Sequence, residues 1–550
     1  METSGEGRAI PQSIVADTGV SAAGAFAEAG AAERGSLGGA PASRLSRDSL
    51  LRYSPAVVLL AILIADSNRH TDPDLWGHIR FGQAFIANRH LIDRDPYSYS
   101  AAGHLWRDHE WLAEVVMAAA YNAAGVVGLK LWKFAFTALT VLFIADAEAE
   151  TGAPPSIQLP VLLVASIGLI LQTQFRPQMF TLVCLSALVA LLARDNYRRG
   201  NTIWLAVPLM ALWANPHGGF VAGIATLALY TGVTALSDLA AGAGLRRAIR
   251  LGLVTLAATA ATLVNPYGIG MWKTVVYALR NPYTRSIVND WQPLTHAMAA
   301  QWHQGPSGVV LYLAVIGLIA ALAAAFVASP SAGDLPLVAI AAFMSIEAFQ
   351  SARNMALAVI AVSGPLARHL AVLSERRRRG APAPDSRPVN QWLMLAVCGL
   401  LMIQGGLFSS RLALDEPYPV GAVSFIRAHE LHGNLLCDFG WGEYLIWHTF
   451  PPDKVFIDGR NDTVYPPEVV HDYLLFRFDL PGGGHVLDTY PHDFVLIATS
   501  APARHLMEQR HDWKLLYRDE DSLLYARASA PAASLPGLPV TGAAHPGGFP

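Results

Sequence analysis

Thr71-Asp72-Pro73-Asp74-Leu75-Trp76-Gly77-His78-Ile79-Arg80 places two carboxylates two residues apart around a proline, directly after an apolar run. Held this way, Asp72 and Asp74 can meet one cation or one donor hydroxyl together. In a water-poor site such a carboxylate can take the proton of an attacking hydroxyl. The pair can instead contribute to an oxygen-liganded divalent ion, which needs several hard ligands. The plainer alternative is an Asp-Pro turn whose second Asp caps an amphipathic helix lying on a membrane. His78 and Trp76 stand in the same motif. Asp95-Pro96-Tyr97-Ser98-Tyr99 and Trp106-Arg107-Asp108-His109-Glu110-Trp111 follow it. His109 and Glu110 form a ligand or acid/base pair, or else cap the next helix.

Two arginines at the ends of apolar runs add a second chemistry. Arg176 lies in Arg176-Pro177-Gln178 and Arg353 in Ser351-Ala352-Arg353-Asn354. The planar, permanently charged fork of arginine suits a phosphate, which it binds bidentately. A charge within a membrane costs at least ~2.5 kcal/mol on insertion scales and so usually has a role. Snorkelling to the interface is the alternative. His217, in Asn215-Pro216-His217-Gly218-Gly219, can bond a phosphate or a sugar, or simply end a helix. Trp76, Trp106, Trp111 and Trp291 can stack on a sugar face, against a default of interfacial anchoring.

The elements that must position these residues follow from composition. Of 550 residues, 53% are hydrophobic and only 15% charged. A soluble chain carries about 25% charged residues, so a multi-span membrane protein is expected. The net charge of -3 supplies no basic patch for a nucleic acid. Three cysteines, Cys184, Cys398 and Cys437, have neither zinc nor disulfide spacing. Residues 1–50 are rich in Ala, Gly and Ser and read as a disordered cytoplasmic tail with no secretory signal. Apolar segments recur at about 53–66, 111–124, 129–145, 156–172, 179–194, 202–214, 218–238, 246–264, 308–328, 334–350, 352–371 and 391–409. The expected membrane domain is thus 51–410, with about 11–13 helices and a first outer loop at 67–110. Residues 528–550 read as a second disordered tail.

Arginine clusters near 44–52, 194–199, 246–250 and 376–379 set the orientation. With all four inside, the region after 410 lies outside, and one of the first four segments cannot cross. The 111–124 run, short and opened by polar residues, is the expected re-entrant or interfacial one, with 156–172 as the alternative. This arrangement puts 66–110, Arg176–Gln178, Asn215–Gly218, the long loop 265–307 and Ser351–Asn354 on one outer face, around one polar cavity. Residues 411–527 differ in kind. Short apolar runs at 433–439, 454–458 and 493–499 read as buried parallel strands. Helical patterns lie between them at 423–431, 442–448, 467–476 and 503–510. A hairpin at 513–518 and 522–527 closes a small α/β domain. Asp458-Gly459-Arg460-Asn461-Asp462 follows a strand, and either holds an acceptor glycan or only turns the chain.

The order of these motifs resembles the GT-C superfamily of polytopic membrane glycosyltransferases. A membrane helix is followed by an outer loop with Asp72-Pro73-Asp74, then Asp95-Pro96-Tyr97-Ser98-Tyr99, then His109-Glu110-Trp111. The resemblance continues through Arg176-Pro177-Gln178, Asn215-Pro216-His217-Gly218, Asn265-Pro266-Tyr267-Gly268, Asp290-Trp291-Gln292-Pro293, Arg353 and Val455 to Arg460. The chain is similar to an uncharacterised bacterial branch beside the protein mannosyltransferases and ArnT-like enzymes. The resemblance implies a polyprenyl-phosphate sugar donor. It also implies that an acidic residue of the first outer loop, Asp72 or Asp74, acts as base or helps to bind a divalent metal ion, the one cofactor it suggests. Arg176, His217, Arg353, His109, Glu110, Trp76 and His78 are then the expected substrate-binding residues. The acceptor is a glycan, lipid or protein hydroxyl; no long loop resembles the peptide-binding region of an oligosaccharyltransferase. The expected function is inverting glycosyl transfer at the outer face of a bacterial inner membrane. A lipid or glycan transporter, or a non-catalytic scaffold displaying 411–527, are the competing readings. A transporter would want midplane charges and paired repeats.

Overall fold

The computed structural model describes residues 70–281, 291–304, 306–377, 412–414, 417–535 and 549. The expected spans 53–66 and 391–409, the tail 1–50 and most of the tail 528–550 lie outside these residues. From the first strand, β1 (His70–Thr71), the chain enters α1 (Leu75–Asn88) and then α2 (Trp111–Glu150), α3 (Pro155–Leu169), α4 (Gln178–Arg198) and α5 (Ala206–Trp213). The helices α6 (Phe220–Ala240), α7 (Arg246–Ala261), α8 (Ile269–Arg280), α9 (Leu294–Gln304), α10 (Pro306–Ala328), α11 (Leu335–Gln350) and α12 (Met355–Arg377) follow.

Among the described residues, six helical segments are long and apolar enough to cross a membrane: α2, α4, α6, 308–328, 332–350 and 352–377. The apolar α3 and the segment 202–213 are shorter. Leu236, Leu256, Val327 and Ile346 point out of the bundle. That surface would be costly in water and is at home in lipid, where helices satisfy their own backbone polar groups. The chain is therefore a polytopic helical membrane protein, the expected class.

The runs 111–124 and 129–145 form two helices, as expected, joined without an intervening loop in α2. It breaks at Ala124 and Gly125, where Gly125 takes φ 57, ψ -142, a conformation open essentially to glycine. The stretch 265–307 is not a plain loop. It carries α8 and α9, whose apolar runs are too short to read as spans.

The C-terminal region is α/β. After β2 (Ala413–Leu414) come α13 (Val420–Ala428), β3 (Asn434–Cys437), α14 (Gly442–Thr449), β4 (Lys454–Val455), α15 (Pro467–Arg477), α16 (His485–Thr489), β5 (Phe494–Ala498), α17 (Ala503–Gln509), β6 (Trp513–Arg518) and β7 (Ser522–Arg527). The sheet order is β4-β3-β5-β7-β6. The strands β3, β4 and β5 are parallel, and β6 and β7 close the far edge as an antiparallel hairpin, as their sequence pattern predicts. Leu435, Leu436, Val495, Leu496 and Leu524 are fully buried in it. The chain stays ordered past β7: Pro531–Ser534 forms a 3-10 turn whose Ala533 carbonyl accepts from Lys514 Nζ at 2.6 Å. Pro531–Ser534, within the segment expected as a tail, is thus structured.

The segment after α1 locks the two parts together. Tyr97 and Tyr99 exchange backbone hydrogen bonds with Val455 at 3.1 and 3.2 Å, covering the open edge of β4. β1 pairs in parallel with β2. Arg460 inserts its guanidinium between the rings of Phe81, Tyr97 and Trp106 at 4.8–5.2 Å and pairs with Asp95 and Asp458, each at 2.6 Å. All three charged groups are buried. The Asp458–Arg460 turn is thus an internal clasp as well as a strand end.

The far end of the bundle has its own charge network. Arg194 and Arg198 pair with Glu150, and Arg247 and Arg250 with the fully buried Asp195. The 21 residues of α4 span about 30 Å between Gln178 and Arg198. The basic loops and the Arg176 motif therefore occupy opposite ends of the bundle.

Candidate active site

Asp72 opens a turn in which its Oδ1 accepts from the Asp74 amide at 3.0 Å, and its carbonyl accepts from the Leu75 amide. Asp74 holds the N-cap position of α1, but its side chain makes no capping bond. It turns into a polar cavity of about 150 Å³ instead. The capping alternative is therefore satisfied by the backbone alone. Arg176, fixed at the start of α4 by the Arg-Pro-Gln turn, pairs through Nε with Asp72 and reaches Asp74 Oδ2 with Nη2 at 3.6 Å.

His78, His109, Glu110, Asp108 and Glu114 join Asp74 and Arg176 on the walls of the same cavity. His78 Nδ1 lies 3.1 Å from Glu114 Oε1. Glu110 Oε1 faces both His109 Nε2 at 3.7 Å and His217 Nε2 at 3.6 Å. Burial, with the neighbouring Asp72 and against the pull of Arg176, pushes the Asp74 carboxyl up to about 7. Burial also opposes a charge on Glu110. There His109, His78, His217 and Arg353 outweigh it, holding the carboxyl down at about 2. Burial lowers His78 and brings His217 down to about 3 despite Glu110, with Arg353 adding to the fall. Two carboxyls in one cavity thus have opposite tendencies: Glu110 is a fixed anion, and Asp74 exchanges its proton near neutral pH.

A second, largely apolar cavity of about 390 Å³ adjoins the first; His109, Gln178, Ala278, Trp291 and Arg353 line both. Leu182, Val221, Val275, Phe343, Met344 and Leu357 supply its apolar wall from α4, α6, α8, α11 and α12. Arg353 precedes α12, and its guanidinium stacks over the Trp291 ring at 5.1 Å. His217 is held from behind. Trp213 Nε1 donates to Thr181 Oγ1 at 3.0 Å, and that hydroxyl lies 2.8 Å from His217 Nδ1. The Gly219 amide also donates to Nδ1 at 3.0 Å. A neutral ring with Nδ1 occupied as acceptor carries its proton on Nε2. Nε2 lies 3.3 Å from Arg353 Nη2. Arg353 Nη2 and His217 Nε2 therefore meet where the apolar and acidic cavities join, with Glu110 Oε1 3.6 Å from the same Nε2.

The structure brings Asp72, Asp74, His78, His109, Glu110, Arg176, His217 and Arg353 to one end of the bundle. Trp76 is a correction. It is 2% exposed, packs against Tyr444, Phe549 and Trp447, and takes no part in lining either cavity. Its place on α1, two residues past Asp74, turns it toward α14 rather than toward the cavity. Sequence reasoning also passed over Glu443 on α14, whose Oε2 accepts from the Gly77 amide at 3.0 Å and which lines the polar cavity. Its Trp-Gly-Glu-Tyr context holds no spacing that signals chemistry. Glu114, one helical turn beyond Glu110, was within reach of the pattern.

A divalent ion does not fit these residues as they stand. Asp72 is engaged by Arg176, and among the described residues no three His, Cys, Asp or Glu side chains converge as ligands.

No protein-family model and no curated protein matches the sequence. Solved structures do match. The archaeal oligosaccharyltransferase AglB from Archaeoglobus fulgidus, solved with an inhibitory peptide and a dolichol-phosphate, superimposes with a TM-score of 0.53 at 13% identity. The match covers 82% of this chain and 70% of that one. The apo form of the Archaeoglobus fulgidus oligosaccharyltransferase gives 0.51 at 12%, over 83% of this chain and 70% of that one. At these coverages the likeness shows that the chain has a GT-C-like fold.

Proposed function

We propose that this chain is a membrane glycosyltransferase. It moves a sugar from a polyprenyl-phosphate donor to an acceptor hydroxyl at the outer face of a bacterial inner membrane, with inversion. One observation carries the reading: Arg353 and His217 meet where an apolar cavity opens into an acidic one that holds Asp74. A lipid phosphate sugar has the matching three parts. Its apolar chain fits the larger cavity, its phosphate the Arg353 guanidinium, and its sugar the space before Asp74. The dolichol-phosphate in the AglB structure is a ligand of the same chemical kind. Residues 51–410 then form the membrane domain and 411–527 an extracytoplasmic domain that closes the site.

The steps follow from these groups. Asp74, poised to exchange a proton near neutral pH, takes the proton of the acceptor hydroxyl. The oxygen attacks the anomeric carbon from the side opposite the phosphate. The bond from that carbon to the phosphate oxygen breaks, and its electron pair leaves with the phosphate. Arg353, His217 Nε2–H and Arg176 stabilise the charge that gathers there, where water is scarce and their fields are strong. Glu110 keeps His217 and His109 oriented. Asp72 holds Arg176 against the site. The acceptor is a glycan, lipid or protein hydroxyl. No step needs a metal.

Purified protein incubated with a panel of polyprenyl-phosphate sugars, with and without chelator, tests the reading. Transfer with release of polyprenyl phosphate, insensitive to chelator and absent in Asp74→Asn, is expected. Movement of intact lipid across vesicles without phosphate release would support a transporter instead. Full turnover in Asp74→Asn would remove Asp74 from the chemistry.

A further inference from the structure

Glu443 enters the polar cavity from the α/β region, in the first turn of α14, and is 3% exposed. Its approach is possible because two neighbours lack side chains. A Cβ on Gly77 would lie 2.2 Å from the Glu443 carboxyl carbon. A Cβ on Gly459 would lie 2.5 Å from Asp74 Oδ1 and 2.7 Å from Glu443 Oε1. Both carboxyl oxygens thus border the space that Gly459 leaves open. Glu443 Oε2 is already occupied as acceptor by the Gly77 amide, which leaves Oε1 toward Asp74.

The charges around the pair settle which carboxyl keeps a proton. Asp72, Glu110, Arg176 and Arg353 surround Asp74. Asp458 and Arg460 flank Glu443, and Glu114 stands behind it on α2. Arg460 is committed to Asp95 and Asp458, and among the described residues Glu443 forms no ion pair. Asp74 by contrast is reached by Arg176. Two buried carboxyls bordering one space oppose each other's charge, and the charge goes to the one with the arginine. Burial, with Asp74 and Asp458, holds Glu443 well above the usual carboxyl range.

We propose that Glu443 is a positioning residue for Asp74: its carboxylic acid, delivered by the α/β region, donates a hydrogen bond to the carboxylate that takes the acceptor's proton. The assignment rests on the glycosyl-transfer reading for its consequence, but not for the pairing itself. The acceptor proton ends on Asp74, and Glu443 keeps its own throughout. The base is therefore complete only when the α/β region is docked on α1.

Infrared spectra and pH–rate profiles of the full chain in lipid test this together. At about pH 8.5 a protonated-carboxyl band additional to those of other buried acids such as Glu114 is expected in the wild type, lost in Glu443→Gln and shifted in Asp74→Asn, where the bond ends on a neutral amide. Glu443→Gln keeps a donor toward Asp74 and an acceptor toward Gly77, so its transfer rate stays within about threefold of wild type. Glu443→Ala loses the donor; its acid limb moves up by about one pH unit and its neutral-pH rate falls about tenfold. An absent band, a band unmoved by Asp74→Asn, or an acid limb equal in Glu443→Ala and wild type overturns the pairing. If the band behaves as stated while no donor in the panel is turned over, the pairing stands and the donor reading falls.

Discussion

Replacing Asp74 by Asn should abolish sugar transfer and at the same time stabilise the protein, in a pH-dependent way. The carboxyl rises from 3.8 to about 7 because burial and Asp72 oppose its charge more than Arg176 favours it. At 1.36 kcal/mol per pKa unit, a shift of that size corresponds to about 4 kcal/mol. A third of the Asp74 side chain faces the cavity, 32%, so solvent there screens part of the cost. About 2–4 kcal/mol is the expected range. A carboxyl raised on folding favours the folded state below its unfolded value, near 4. That contribution is lost as pH rises through about 7. Asn carries no charge at any pH, so the gain of Asp74→Asn over wild type should be near zero at about pH 4 and full at about pH 8. The Arg176–Asp72 pair survives the substitution, so no new unpaired cation offsets the gain. Thermal unfolding in detergent, followed by intrinsic fluorescence at both pH values, reads the effect. Equal midpoints at about pH 8, or a loss there, would show that Asp74 is an ordinary ion-pair partner of Arg176, and the assignment of the base would fall with it.

Asp72→Asn should retain transfer and move the acid limb of the pH–rate profile downward by about one unit or more, because a like charge beside Asp74 is removed and Arg176 is released toward it. Loss of all activity in that variant would make Asp72 the base instead. Thr181→Val leaves the buried Trp213 Nε1 without its acceptor and frees the His217 ring. It should raise KM for the lipid donor about tenfold and cost about 1–3 kcal/mol of stability, as steady-state kinetics and melting curves would show. Arg460→Met strips two buried carboxylates of their cation. It should destabilise by about 3–5 kcal/mol, with limited proteolysis opening the segment 90–110 before the bundle.

Much of this site was legible in the chain because charged residues in a membrane protein have few places to go. Arg176, His217 and Arg353 each sit where an apolar run stops, and the alternation of basic loops fixes which stops share an end. Convergence of those three with Asp72 and Asp74 follows from that bookkeeping without any knowledge of side-chain packing. The strands of the α/β region were legible for a similar reason, since short apolar runs bounded by turns have few other uses. Hydropathy also separated the runs 111–124 and 129–145, which part at Ala124 and Gly125. It missed α8, whose longest apolar run, Val275 to Leu279, is too short to read as a span.

Trp76, Glu443 and Arg460 were beyond reach for a different reason. Each depends on which face of the α/β region meets which face of α1, a packing relation between parts of the chain more than 360 residues apart. Pattern within either part is silent on it. Trp76 reads as a sugar platform until Tyr444 and Phe549 are seen to occupy its faces. Arg460 reads as a ligand-binding turn until Asp95 is found at its Nη1. The two glycines carry the same lesson in reverse. Gly77 and Gly459 look like interchangeable small residues, yet each is the gap through which one carboxyl reaches the other part's backbone or side chain. The interface between bundle and α/β region therefore does more than hold the domain in place. It is built from the same few residues, Asp74, Glu443, Gly459 and Arg460, that shape the wall of the acidic cavity. A chain of this fold could not shed its C-terminal region and keep the environment that poises Asp74.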